Sequence, residues 1–216
     1  MTSEGSFFFL YINLRGIMEN YYISVNKLEE AGYLASLIGL SKSFKQKLDK
    51  MPQVAEKLAN KDGGHNKFLE AIIVWLEVKA PRYWWQEADT YRISTKQSES
   101  TIHSLVKDII KIPKEVVAGK DGTIEIIENY INNNFESGSI CFDQFSDLYY
   151  ACLSNDVLKV KKSLPEGYLQ TRTWCMSYKT LRNIILQRQN HPLPHWNSFI
   201  SQVLSLVDYP KLLPKM

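Results

Sequence analysis

Apolar and polar positions change period several times along this chain, and the sharpest change falls in residues 63–103. Lys61, Asp62, Gly63 and Gly64 form a polar turn. Residues 71–78 then carry Ile72, Ile73, Val74, Trp75 and Val78, β-branched or aromatic side chains that predict a buried strand. Glu70 and Glu77 bracket that run. Pro81 fits the first turn of a helix, where its missing N–H costs nothing. That helix carries Trp84, Trp85, Glu87 and Ala88 toward Tyr91. Arg92, Ser94, Thr95, Ser98, Ser100 and Thr101 follow without a hydrophobic period.

On either side the pattern is mostly helical. Residues 7–14 read as an N-terminal strand after a polar tail. Residues 25–40 have mixed spacing, interrupted by Gly32 and Gly39, and specify no element. Residues 41–59 predict a charged helix with Phe44, Leu48, Val54 and Leu58 inward, divided by Pro52. Residues 105–112 predict a helix that stops before Pro113. After a turn at residues 119–122, Thr123 caps a helix over residues 124–135 with Ile127, Tyr130 and Ile131 inward. Short helices over 143–153 and 157–162 precede a break at 164–167 and a strand over 168–176. Residues 178–189 form an amphipathic helix ended by Pro192 and Pro194, and residues 195–207 form the last helix. No repeat or linker divides the chain. The expectation is a single α/β (α+β) domain over residues 1–216, a small central sheet surrounded by helices.

Composition narrows the class. The chain has 216 residues, 44% hydrophobic, enough for one sizeable core. A net charge of +3 with mixed signs gives no strong nucleic-acid signal and suits a pocket for a small anion equally well. The apolar run at residues 7–12 is too short to span a membrane and lacks a basic leader. Cys141, Cys152 and Cys175 form no CxxC pair and predict reduced thiols in the cytoplasm. Twelve tyrosines and five tryptophans suit stacking sites or a subunit interface.

Several residues could carry chemistry. Arg92 among hydroxyls suits a phosphate or nucleotide sugar, and a Ser/Thr-rich surface loop has the same composition. His65 and Glu70, at the entrance to the predicted strand, can orient a cofactor or be a loop histidine and a solvated carboxylate. His191 and His195 have zinc-helix spacing, but the two intervening prolines exclude one regular helix face, and no metal is expected. Phosphate-loop, dinucleotide and serine-hydrolase motifs are absent from the sequence. Asn183 and Arg188, five apart on one helix, can border one cleft, and Arg188 can equally be salt-bridged.

Two blocks change the picture. GGHNKFLEAIIVWLEV followed by TYRISTKQSES resembles the Gly-His turn, strand, helix and RHRxxSxxxxSxR motif of the flavin-dependent thymidylate synthases, the ThyX family. LPEGYLQTRTWCMSYKTLRNIILQR is similar to that family's second conserved block. The likeness is nearest to a diverged, phage-encoded set and covers about two thirds of the chain in order. It implies an FAD-dependent methylation of dUMP, with reduced folate supplying the carbon and NADPH as co-substrate. It also implies a cytoplasmic homotetramer with sites between subunits.

Position by position, the resemblance implies that His65, Glu70, Tyr91, Lys179 and Asn183 shape the flavin pocket. Arg92, Ser100, Lys161 and Arg188 would bind the nucleotide, with Arg188 as the catalytic residue that polarises the pyrimidine, and Thr95 falls on the motif's first hydroxyl. The departures are specific. Thr90 and Tyr91 stand for the Arg and His of RHR, Ile102 for the motif's final Arg, and Ser177 for an Asn. Lys161 and Lys179 replace Arg, keeping charge without the bidentate fork. Each lost charge-assisted contact costs about 1.5–3 kcal/mol of binding. Three readings follow: a flavin enzyme of pyrimidine nucleotide metabolism, a non-catalytic nucleotide- or protein-binding relative, and an assembly protein.

Overall fold

The computed structural model describes residues 22–119 and 124–215. The expected strand at 7–14, the polar tail, the Thr123 cap and most of the turn before it lie outside those residues. In chain order the described elements are β1 (Ser24–Ala31), α1 (Tyr33–Phe44), α2 (Met51–Ala59), β2 (Ile73–Pro81), α3 (Arg82–Ala88) and β3 (Thr95–Ser98). A π turn at Thr101–Leu105 leads into α4 (Val106–Ile109), α5 (Lys114–Val117), α6 (Ile124–Asn134), α7 (Phe142–Leu153) and α8 (Val157–Ser163). The chain then returns through β4 (Leu169–Ser177), α9 (Tyr178–Arg188) and α10 (His195–Leu206). The architecture is α+β. Four antiparallel strands form one sheet in the order β1-β2-β4-β3.

Strand alternation gives the sheet two unlike faces. Val74, Leu76, Val78 and Ala80 of β2 are fully buried, while Ile73, Trp75, Glu77 and Lys79 stay half-buried. On β4 the covered face carries Trp174 and Met176, opposite Leu76 and Val74. Against it pack Leu181, Ile184 and Ile185 of α9, Trp196, Phe199 and Ile200 of α10, and Trp84 and Trp85 of α3. Residues 105–168 build a second apolar cluster around Ile109, Phe145, Leu148 and Tyr149. Backbone bonds join the two: the N–H of Arg82 donates to Tyr168 O at 3.0 Å, and that of Tyr83 to Glu166 O at 3.2 Å.

Four local expectations are corrected. Residues 25–40, unspecified by period, fall in β1 and α1, which meet at Gly32, whose φ is 95° and whose backbone passes so close to Ala71 that a Cβ would lie 1.9 Å from its carbonyl oxygen. The helix expected over 41–59 is interrupted: Lys45 takes a left-handed conformation at the end of α1. The period breaks there, so Phe44 and Leu48 are exposed while Val54 and Leu58 pack on the core. Pro52 sits in the first turn of α2 rather than within a longer helix. The apolar run begins as a 3-10 turn at Lys67–Ala71, so β2 starts at Ile73 and includes Pro81. Finally, Thr95–Ser98 is an edge strand of polar residues, held to β4 by backbone pairing.

Candidate functional site

The turn between α3 and β3 is fixed from several sides. The Oγ of Ser94 donates to Tyr91 O at 2.7 Å and accepts from the indole N–H of Trp174 at 2.9 Å. The ammonium of Lys96 donates to the same hydroxyl at 3.2 Å and to Tyr91 O at 3.1 Å. It lies 4.8 Å from the Trp174 ring centre, its cross-strand neighbour. Burial pulls the Lys96 pKa down, against the pull of Asp89. A lysine beside a serine suggests a nucleophile and its base, but the Ser94 proton is directed at a carbonyl and its lone pairs face two donors. Ser94 is therefore a clamp. Thr180 Oγ1 donates to Ile93 O at 3.0 Å and completes the hold. With its backbone so fixed, the turn projects Arg92 and Ile93 outward, Ile93 with 85% of its surface exposed.

Two cavities meet at that turn. One, of about 500 Å³, lies at the end of the open sheet face and is lined by Glu70, Ile73, Thr95, Cys175, Lys179 and Asn183 among others. The other, of about 350 Å³, is lined by Thr90, Tyr91, Arg92 and Gln187. Both include Ile93, Thr180 and Asn183, so the two adjoin across these shared residues and make a two-part groove. The N-terminus of α9 opens onto it, where Ser177 Oγ accepts the Thr180 N–H at 3.2 Å. Lys179 donates to the side-chain oxygen of Asn66, and an ammonium has three donors. Two cations, Arg92 and Lys179, stand in the lining against the carboxylate of Glu70.

The groove thus gathers Glu70, Tyr91, Arg92, Thr95, Lys179 and Asn183 from distant stretches of chain. The remaining predicted residues stand elsewhere. His65 lines a separate cavity of about 480 Å³ between α1 and the 3-10 turn. Ser100 lies past the far end of β3, its Oγ accepting the His103 N–H at 3.3 Å. Lys161 is exposed on α8. Arg188 adjoins the smaller cavity through Tyr91: its Nε donates to Tyr91 Oη at 2.9 Å and its Nη1 to Glu87 Oε2 at 2.9 Å.

Among the described residues no cluster of three or more His, Cys, Asp or Glu side chains is placed to hold a metal. His191 turns to Glu87, at 3.6 Å. His195 meets Glu136, Nε2 to Oε1 at 2.6 Å, and Tyr83 hydrogen-bonds both. Burial pushes the Cys175 thiol in the groove above its ordinary pKa, and Cys152 up to about 11. Both are poorly placed to be thiolates.

Sequence reasoning missed three groups. Glu87 lies 101 positions from Arg188, and neither residue carries a local sign of the other. Arg182 reads as an ordinary helix arginine, yet it is 5% exposed and donates to Asp62 at 3.1 Å and Asn60 O at 3.4 Å, tying the 60–66 loop to α9. Asn66 is fully buried and receives Lys179. The only available signal for these was a polar type inside a glycine turn or an apolar helix, which is weak.

No protein-family model matches the chain, and no curated protein matches it by sequence. Solved structures do. Flavin-dependent thymidylate synthase ThyX from Helicobacter pylori, complexed with FAD and dUMP, superposes with a TM-score of 0.73 at 16% identity, over 88% of this chain and 97% of that one. A second structure of the same enzyme with FAD and dUMP gives 0.72 at 14%, over 88% and 96%. Such identities speak for the fold alone. The chain has the fold of the flavin-dependent thymidylate synthases.

Proposed function

We propose that the groove binds FAD and a pyrimidine nucleotide, and that the protein is a flavin-dependent thymidylate synthase-like enzyme methylating dUMP or a related pyrimidine nucleotide. The observation that carries this reading is the convergence of Glu70, Tyr91, Arg92, Lys179 and Asn183 on one groove in a chain of this fold. The lining suits the ligands chemically. Ile73 and Ile93 give apolar surface for a flat ring, Asn183 an amide for its polar edge, and Arg92 and Lys179 positive charge for phosphates. FAD, when bound, supplies hydride transfer; reduced folate brings the carbon, and NADPH is a further co-substrate.

His65, Ser100 and Lys161, which stand away from the groove, enter a site only where a second copy brings them there. That fits a homotetramer of single-domain chains with sites between subunits. A cytoplasmic, phage-encoded setting belongs to the same reading. Among the described residues no helix is long and apolar enough to cross a membrane.

The second reading is a non-catalytic relative that binds a nucleotide or a protein. It is favoured by Thr90 and Tyr91 in place of Arg and His, and by the engagement of Arg188 with Glu87 and Tyr91. The visible absorption spectrum of the purified protein, after adding FAD and removing the excess, separates the two. A retained flavin band whose reduced form is reoxidised in a dUMP-dependent way supports the enzyme. A protein that stays colourless moves the assignment to the non-catalytic reading.

A further inference from the structure

One carboxylate oxygen organises the wall behind the smaller cavity. Glu87 Oε2 accepts from Arg188 Nη1 at 2.9 Å and from the Trp196 indole N–H at 2.8 Å, and His191 Nε2 stands 3.6 Å away. Arg188 is restrained on its other sides as well. Its Nε donates to Tyr91 Oη, and its guanidinium carbon lies 4.7 Å from the Trp196 ring centre and 5.6 Å from that of Tyr91. Only 16% of the side chain is exposed. The cavity lining includes Tyr91 and Gln187 but not Arg188.

A guanidinium in this position has two consequences for a ligand. Its charge is cancelled at hydrogen-bond distance by Glu87, so an anion in the groove feels a neutral pair. Its fork is also committed: one arm to a carboxylate, the Nε to a phenol, and the flat face to an indole. The cations that line the groove are Arg92 and Lys179, the latter with one of its donors on Asn66.

We propose that Glu87 is a positioning residue that sets the selectivity of the groove: it holds Arg188 against Trp196 and withholds its charge from anionic ligands. A nucleotide then docks first through Arg92 and Lys179, and Arg188 reaches it only when the Glu87 pair opens. This inference rests on the nucleotide reading above, and its test separates the two.

Glu87→Gln keeps the shape and an acceptor oxygen for Trp196 but removes the charge. The full-length variant and the parent are compared in two measurements: the rate at which phenylglyoxal modifies Arg188, followed by peptide mass mapping, and the affinity for dUMP by isothermal titration. The expected result is a several-fold faster modification of Arg188 and about tenfold tighter dUMP binding, a gain lost at high salt and in the Glu87→Gln/Arg188→Ala double variant. Glu77→Gln, on the open sheet face, changes neither.

An unchanged modification rate overturns the inference even if dUMP binds. A faster rate with no dUMP binding by either protein supports the restraint on Arg188 and refutes the nucleotide reading. Tyr91→Phe removes one bond to Arg188 without touching Glu87. It is expected to give an intermediate rate, and it keeps the test decisive should Glu87→Gln fail to fold.

Discussion

The Nε of Arg188 lies 2.9 Å from the phenolic oxygen of Tyr91, which joins the end of α9 to the turn after α3. The resemblance aligns Tyr91 with the His of RHR, and on that alignment the residue that departs from the motif is also one that hydrogen-bonds Arg188. On that alignment the departure would rewire a contact as well as remove one. A phenol at this place offers an acceptor to a guanidinium, which an imidazolium does not.

The double replacement Thr90→Arg with Tyr91→His is expected to increase flavin retention. It adds a guanidinium and an imidazole to the smaller cavity and removes the phenol that accepts from Arg188 Nε. Retained visible absorbance after desalting measures the effect. Unchanged absorbance means that the pocket has been remodelled beyond these two positions.

Ser94→Ala is expected to loosen the turn that carries Arg92. It leaves the N–H of Trp174, a fully buried indole, without its partner, and a buried donor so orphaned costs about 1–3 kcal/mol. Urea denaturation should show that loss of stability. Ligand affinity should fall with it, because the same hydroxyl also orders the Tyr91 carbonyl.

The Tyr83–Glu136–His195 cluster predicts a pH dependence of stability. Burial pushes the Glu136 carboxyl up, but hydrogen bonds from His195 and Tyr83 outweigh it and hold it below the ordinary value of 4.5. A carboxyl depressed in the folded state contributes fully above its unfolded pKa, and the contribution is lost as pH falls through the folded value. Tyr83 moves the other way, raised above 10.0 by burial and by its bond to Glu136, so its contribution is fully present below 10.0 and is lost as pH rises through the higher folded value. Thermal melts of the parent should lose stability below about pH 5. Glu136→Gln should be less stable at neutral pH and flatten the acid limb. Parallel acid limbs would show that other carboxylates dominate.

The sequence by itself determined the elements whose physics is local. The apolar run at 71–78 and the segment 168–176 read as strands, and strands stand over Ile73–Pro81 and Leu169–Ser177. Residues 178–188 announce a helix because Leu181, Ile184 and Ile185 recur on one side. The two motif blocks, read in order, also pointed to the fold that the superposition bears out. Tertiary structure decided the rest. The edge strand at Thr95–Ser98 has no hydrophobic period, and its backbone pairing with β4 needs none. Gly32 ends β1 because Ala71, 39 residues away, leaves no room for a Cβ.

The same division runs through the site. Arg188, Tyr91 and Asn183 were legible as residues, but their relations were not. Whether a guanidinium is free, paired or stacked depends on groups that folding brings from other elements, here Glu87 from α3 and Trp196 from α10. Electrostatic and hydrogen-bond energies act over a few ångströms in space and are indifferent to separation along the chain. Residue types could therefore suggest a kind of chemistry, while the state of each charge is set only in the packed structure.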